Sequence, residues 1–341
     1  MTSDTPALDF VSRRTVVQIV LGFAVAAVVL AVLVDFVGAA NVRARLEAAD
    51  MWWVAAGCLS TVFCLTAWGK AWQLVLEVAG IEERFSRLVV TYFAATFANY
   101  VTPLGQAGGE PFIAYVLSRD TEASYQDSLA SVVTADLLNL FPFVTFAGVG
   151  FAALLYRASL PEAIEPLAGG LVVLSVGVPL VAAIGWRFRV QLRRGIVRAT
   201  APLARRTPVL TVEGVRERLH ETEAAFQRIA RDRHALAKAL TFSYVGWVFF
   251  ALPLYAAAMA VGESMPLLLV LFVVPASTLA GLVPSPGGSG AVEAALGLLV
   301  VTLTPIDPVG ATAIAILYRV ASYVFALVLG GVAALYVIKR N

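Results

Sequence analysis

The sequence predicts an all-α polytopic membrane protein, an inverted repeat with two re-entrant helical hairpins, and three observations carry that expectation. Of 341 residues, 60% are apolar and only 14% charged, with a mean hydropathy of +0.82, whereas soluble domains are about a quarter charged. Apolar runs of about 20 residues, the length that crosses a hydrocarbon core, recur along the chain. Two of the runs break at Pro and Gly and resume with a Glu: Asn99 to Leu117, NYVTPLGQAGGEPFIAYVL, and Leu279 to Leu298, LAGLVPSPGGSGAVEAALGL. Unwound backbone at membrane depth is tolerated only where protein buries it or a watered cavity faces it. A matched pair of such breaks points to a transporter's binding region.

Taken in order, the first apolar run, Val16 to Val34, is too long for a signal-peptide core and lacks a convincing cleavage site, so it reads as a span. Full crossings are expected at Thr15 to Val37, Met51 to Leu76, Asp127 to Tyr156, Leu167 to Trp186, Lys238 to Val261 and Pro308 to Ile338. The interrupted stretches, 88–118 and 266–303, have arms too short for full spans and are read as hairpins. Repeat A then covers 51–156 and repeat B 238–338, within one transmembrane domain, 1–341. A rival count lets each broken stretch cross fully and gives eight spans; charge alone does not choose between the two.

Between the repeats, 188–237 is a basic loop with eleven Arg, which the positive-inside rule places in the cytoplasm. Both termini then come out cytoplasmic in a multi-pass protein of the cell membrane. The short loop with Arg43 and Arg45 lands outside. Inside the basic loop, Val212, Val215, Leu219, Phe226 and Ile229 recur at helical spacing between charged residues, which marks an amphipathic helix. It either lies on anionic inner-leaflet lipid or packs on the bundle as a connector.

Pro103, Gly105, Gly108 and Gly109 break the first hairpin before Glu110 and Pro111; Pro284, Pro286, Gly287, Gly288 and Gly290 break the second before Glu293. Each following arm aims a helix N-terminus at mid-membrane, where free N–H groups and the dipole suit phosphate or carboxylate. One Glu alone would serve as an ordinary first-turn acid; two in matched breaks point to function, as intramembrane ionisable groups do by default. Arg319 falls near the centre of the last span, where Arg costs roughly 2.5–3.5 kcal/mol on insertion scales unless it finds a partner. Asp136, Glu293 or a substrate phosphate could supply that anion.

Lys70, near the inner end of its span, is read as snorkelling. Glu110, Asp136 and Glu293 against Lys70 and Arg319 leave the buried set one negative charge in excess, so an anionic headgroup is repelled unless a carboxylate is protonated. Protons are therefore expected as coupling partners. Asn99, Gln106, Asn139 and Tyr318 are the remaining polar groups near the breaks or in the spans. Buried amides more often join helices than hold ligands; Tyr318, beside Arg319, fits either role. Cys58 and Cys64 are off helical stacking distance, and His220 and His234 lie far from both, so no disulfide or metal site is expected.

At these residues the chain resembles the flippase-like integral membrane family that includes the transmembrane region of lysylphosphatidylglycerol synthases. The resemblance is strongest over Leu282 to Leu335, where LVPSPGGSGAVEAALGLL is followed by ILYRVASYVFALVLGG. It carries Pro286, Gly287, Gly288, Gly290, Glu293 and Arg319 onto the family's second-half pattern, and Pro103, Gly108, Gly109 and Glu110 onto the first-half one. Family members commonly have an Arg where this chain has Ile113, and often an Arg and an Asp in the next span, where Asp136 and Asn139 are found here. The resemblance implies translocation of a lipid with a polar headgroup, either an aminoacyl phospholipid or a polyprenyl-phosphate sugar.

No aminoacyltransferase domain follows Asn341, so lipid modification is not expected. With no nucleophile beside a base and no HExxH, neither is other catalysis. Membrane lipid or a lipid-linked substrate is the expected partner, with no cofactor and no nucleic acid. Two alternatives stay open: a transporter of a small soluble anion, and a non-transporting partner of a membrane glycosyltransferase or lipid synthase.

Overall fold

The computed structural model describes residues 13–101, 110, 113–114, 117–118, 124–157, 230–282 and 285–340, with a few residues between 173 and 195 and at 224 and 227–228. Among the described residues the chain is nearly all helical and has no strand. In order the helices are α1 (Arg13–Val37), α2 (Ala39–Glu47), α3 (Met51–Val78), α4 (Phe85–Val101), α5 (Tyr125–Arg157), α6 (Arg233–Ala260), α7 (Leu267–Thr278), α8 (Ala291–Leu303), α9 (Pro308–Arg319) and α10 (Phe325–Arg340). Two 3₁₀ turns, Leu279–Leu282 and Pro286–Gly288, lie between α7 and α8, and a π turn, Val320–Val324, joins α9 to α10.

Among the described residues, four runs are long and apolar enough to cross a membrane: α3, Tyr125–Ala152, α6 and Pro308–Val337. The bent pair α1–α2 makes a fifth when taken as one span. Apolar side chains on all sides of such helices leave the backbone to satisfy its own hydrogen bonds, which a bilayer requires. Hydroxyls inside them bond back four residues, as Thr134 does to the Ala130 carbonyl and Ser131 to the Asp127 carbonyl. α7 and α8 have 12 and 13 residues, about 20 Å each, too short to cross a hydrocarbon core of about 30 Å alone.

The loop expected around Arg43 and Arg45 is instead α2. Gly38, at φ 111°, turns the chain through 97° out of α1, and the short helix seats Val42, 1% exposed, against its surroundings. Most of the expected span Leu167 to Trp186, most of the amphipathic segment Val212 to Ile229, and the first break with Pro103, Gly105, Gln106, Gly108 and Gly109 lie outside the described residues.

The helices group into two compact units, to each of which α3, α4, α6 and α10 contribute a part. In the first, a Cβ on Gly57 would stand 3.1 Å from Ala321 and 3.6 Å from both Ala256 and Pro253, the small-residue contact by which membrane helices approach closely. Gly330 meets α4 the same way: a Cβ there would fall 2.5 Å from the Phe93 carbonyl oxygen. Asp307 caps α9, accepting the Val309 and Gly310 N–H groups, with Pro308 at the favoured first position. Arg45 ties α2 to Asp307 and Glu263 at 3.3 and 3.5 Å, partly exposed pairs that contribute little.

In the second unit Trp68, Trp247, Phe250 and Phe143 form an aromatic cluster with centroids 5.4–6.0 Å apart. Gly246 admits the Trp68 indole directly against its backbone. Across α5 and α6, Thr145 and Tyr244 share a hydroxyl hydrogen bond of 2.7 Å. The α3–α4 turn is pinned by Gln73, which accepts from Lys70 Nζ at 2.7 Å and donates to the Glu83 carbonyl at 3.1 Å.

Candidate functional site

The break between α7 and α8 brings one cation and one anion together in the first unit. Gly287 and Gly288 hold φ of 57° and 67°, the left-handed region in which residues with a Cβ are strained. Space excludes a Cβ as well: on Gly287 it would fall 2.0 Å from the Tyr323 ring, and on Gly288 2.6 Å from the Gly281 Cα. The sequence places glycine where the chain folds tightly enough to point the Gly287 carbonyl and the Ser289 hydroxyl at Arg319.

Arg319 ends α9, and its Nε donates to Glu293 Oε1 at 2.8 Å. Its Nη2 donates to the Gly287 carbonyl at 3.0 Å and to Ser289 Oγ at 3.1 Å. The guanidinium carbon lies 4.0 Å from the centroid of the Tyr323 ring, a cation–π contact. Glu293 sits at the third position of α8, where its Oε2 accepts the Gly290 N–H at 2.6 Å, the acidic half of a capping box. Only 12% of the Arg319 side chain and 8% of the Glu293 side chain are exposed. The pair is thus a buried charge couple in which one carboxylate both closes a helix end and neutralises a guanidinium.

Residues that the sequence did not single out complete this arrangement. Tyr323 follows Arg319 by four positions, a spacing that stacks side chains on a helix, and Ser289 lies inside the break itself. The Tyr323 hydroxyl donates to the Tyr100 carbonyl at 3.3 Å, and the two rings lie 4.9 Å apart. Tyr100 sits near the end of α4, next to Asn99. The π turn is braced by Thr61, whose hydroxyl donates to the Ala321 carbonyl at 2.9 Å. Tyr318 is buried, 2% exposed, and its carbonyl accepts the Ser322 hydroxyl at 2.7 Å.

Asp136, one of the anions offered for Arg319, belongs to the second unit. There its carboxyl lies beside that of Glu110. Asn139, one turn further along α5, buries its amide oxygen without a hydrogen-bond partner among the described residues. Lys70 lies 5.4 Å from the Phe85 ring centroid besides its bond to Gln73. No group of three or more potential metal ligands occurs among the described residues.

These features define a multi-pass helical membrane protein with a buried guanidinium–carboxylate pair at a break between two short apolar helices. The chain belongs to the family of the lysylphosphatidylglycerol synthase TM region, whose model matches residues 19–330. It is similar to a UPF0104 membrane protein of Methanothermobacter thermautotrophicus, 27% identical over 99% of this chain and 98% of that one. A UPF0104 membrane protein of Pyrococcus horikoshii is 23% identical over 80% of this chain and 84% of its own. The glycosyltransferase AglD of Haloferax volcanii is 25% identical over 95% of this chain, which spans 55% of that protein.

Proposed function

We propose that this protein is a transporter of the flippase type, moving a lipid with an anionic, phosphate-containing headgroup across the cell membrane. The observation that carries the reading is Arg319, buried inside a membrane-spanning run and held at a chain break. A buried guanidinium presents a rigid fork to phosphate oxygens, and the N-terminus of α8 beside it favours the same charge. Membership of the family supports a lipid-facing task.

The finer architecture belongs to the same proposal. α7 and α8, each too short to span, form a re-entrant hairpin; 88–118 forms its counterpart; 51–156 and 238–338 are the inverted halves that rock to expose the headgroup alternately while the tail stays in lipid. The basic segment 188–237 and both termini face the cytoplasm. Headgroups of the polyprenyl-phosphate sugar or aminoacyl phospholipid type fit this scheme. Glu110 and Asp136, whose carboxyls lie side by side, are the coupling acids, and the chain itself performs no catalysis.

A second reading has one observation in its favour. A relative named a glycosyltransferase matches nearly all of this chain with about half of itself. A partnership with a membrane glycosyltransferase, without transport, accounts for that equally well.

Reconstitution in liposomes separates the two. Leaflet exchange of labelled polyprenyl-phosphate sugar and aminoacyl phospholipid is measured for wild type, Glu110→Gln, Glu293→Gln and Arg319→Ala. Fast exchange of one lipid class, lost in the variants, is expected. Exchange of neither lipid, or variants equal to wild type, sinks the flippase reading and leaves the partner reading in its place.

A further inference from the structure

Resting on the reading of Arg319 as an anion site, we infer that Glu293 is the site's resident anion, a tethered competitor that the substrate phosphate must displace. Two donors that an incoming phosphate would use, one of them on Arg319, are already engaged by this one carboxylate. Oε1 takes Arg319 Nε at 2.8 Å, and Oε2 takes the Gly290 N–H at 2.6 Å. Arg319 Nη2 is held by neutral acceptors, the Gly287 carbonyl and the Ser289 hydroxyl, and the ring of Tyr323 is neutral too. The couple is therefore balanced, one guanidinium against one carboxylate, and Glu293 is 6% exposed.

Adding a phosphate while Glu293 stays ionised in place would leave a net negative charge where water cannot screen it, and an uncompensated buried charge is strongly unfavourable. Replacing the carboxylate by the phosphate keeps the balance and returns equivalent acceptors to Arg319 and Gly290. Only one anion occupies the site at a time. This assigns Glu293 a different part from that of a simple helix cap or a simple substrate ligand. It keeps Arg319 neutralised between substrates, and it weakens phosphate binding so that the headgroup can leave. A site with permanent high affinity would bind its lipid and not release it.

The test measures binding of dodecyl phosphate, and separately of inorganic phosphate, to the full chain in maltoside micelles, for wild type, Glu293→Gln and Arg319→Gln. Gln retains an oxygen for the Gly290 N–H but carries no charge. Glu293→Gln is expected to bind dodecyl phosphate roughly tenfold more tightly than wild type, with a larger ligand-induced rise in melting temperature, while its leaflet exchange is lost. Glu293→Asp, which keeps the charge but is one methylene short of bridging Gly290 and Arg319, is expected to fall between them, and it carries the test if the Gln variant does not fold.

Binding that is unchanged or weaker in both Glu293 variants, yet abolished in Arg319→Gln, overturns the competitor role and leaves the anion site standing. Wild-type binding in Arg319→Gln removes the site itself. The two probes separate the sources of phosphate: dodecyl phosphate bound far more tightly than inorganic phosphate identifies a lipid headgroup, and equal affinity identifies a soluble anion, with the competition at Glu293 read the same way in either case.

Discussion

The ring of Tyr323 lies against the Arg319 guanidinium, 4.0 Å from centroid to carbon, while its hydroxyl reaches the Tyr100 carbonyl. A desolvated cation–π contact is worth about 0.5–2 kcal/mol, and the hydroxyl bond adds about 1 kcal/mol. Tyr323→Phe keeps the first and loses the second; Tyr323→Leu loses both. The expected order of melting temperature in detergent is wild type, then Phe, then Leu, with leaflet exchange near normal in the Phe variant and strongly reduced in the Leu variant.

Two glycines should respond to alanine with opposite signs. At Gly288 a Cβ meets the Gly281 backbone at 2.6 Å and φ is 67°, so Gly288→Ala is expected to cost at least about 1–3 kcal/mol. At Gly297, inside α8, a Cβ would meet nothing within 4 Å, and Gly297→Ala should stabilise by about 0.5–1 kcal/mol. Thermal unfolding of both variants in one detergent checks the pair directly.

The carboxyls of Glu110 and Asp136 lie side by side, and two such groups can hydrogen-bond only when one is protonated. Infrared spectra of the wild type should therefore show a carboxylic-acid C=O band that disappears in Asp136→Asn, where the amide supplies the donor without a proton. The same substitution should change stability by no more than about 1 kcal/mol. A wild-type spectrum without that band would show both groups ionised and the bond absent.

Hydropathy made the long helices legible. α3 begins at Met51 and α9 at Pro308, where the apolar runs begin, while α6 starts at Arg233, one turn before its apolar run, because polar residues at a membrane interface extend a helix without lengthening its apolar stretch. The Pro/Gly break before Glu293 was equally plain, since proline ends a helix and only glycine takes positive φ in so little space. The choice of Glu293 over Asp136 as partner of Arg319 was not in the sequence. Both are carboxylates in apolar runs, and packing alone decides between them. α2 was hidden because nine polar-rich residues after a glycine carry no membrane signal. The π turn was hidden because it leaves the apolar pattern of the last span unbroken.

That π turn sets the rotational phase of the last span. Five residues there occupy roughly the height of four in an α-helix, so everything beyond Val324 is rotated by about 100° from where a regular helix would carry it. Val328, Val332 and Leu335, each over 60% exposed, owe their outward direction to the offset. Removing a single residue between Val320 and Val324 would deform no loop and delete no charge. It would swing the exposed face of α10 through about 100°, and the whole span would behave as a screw cut with the wrong thread.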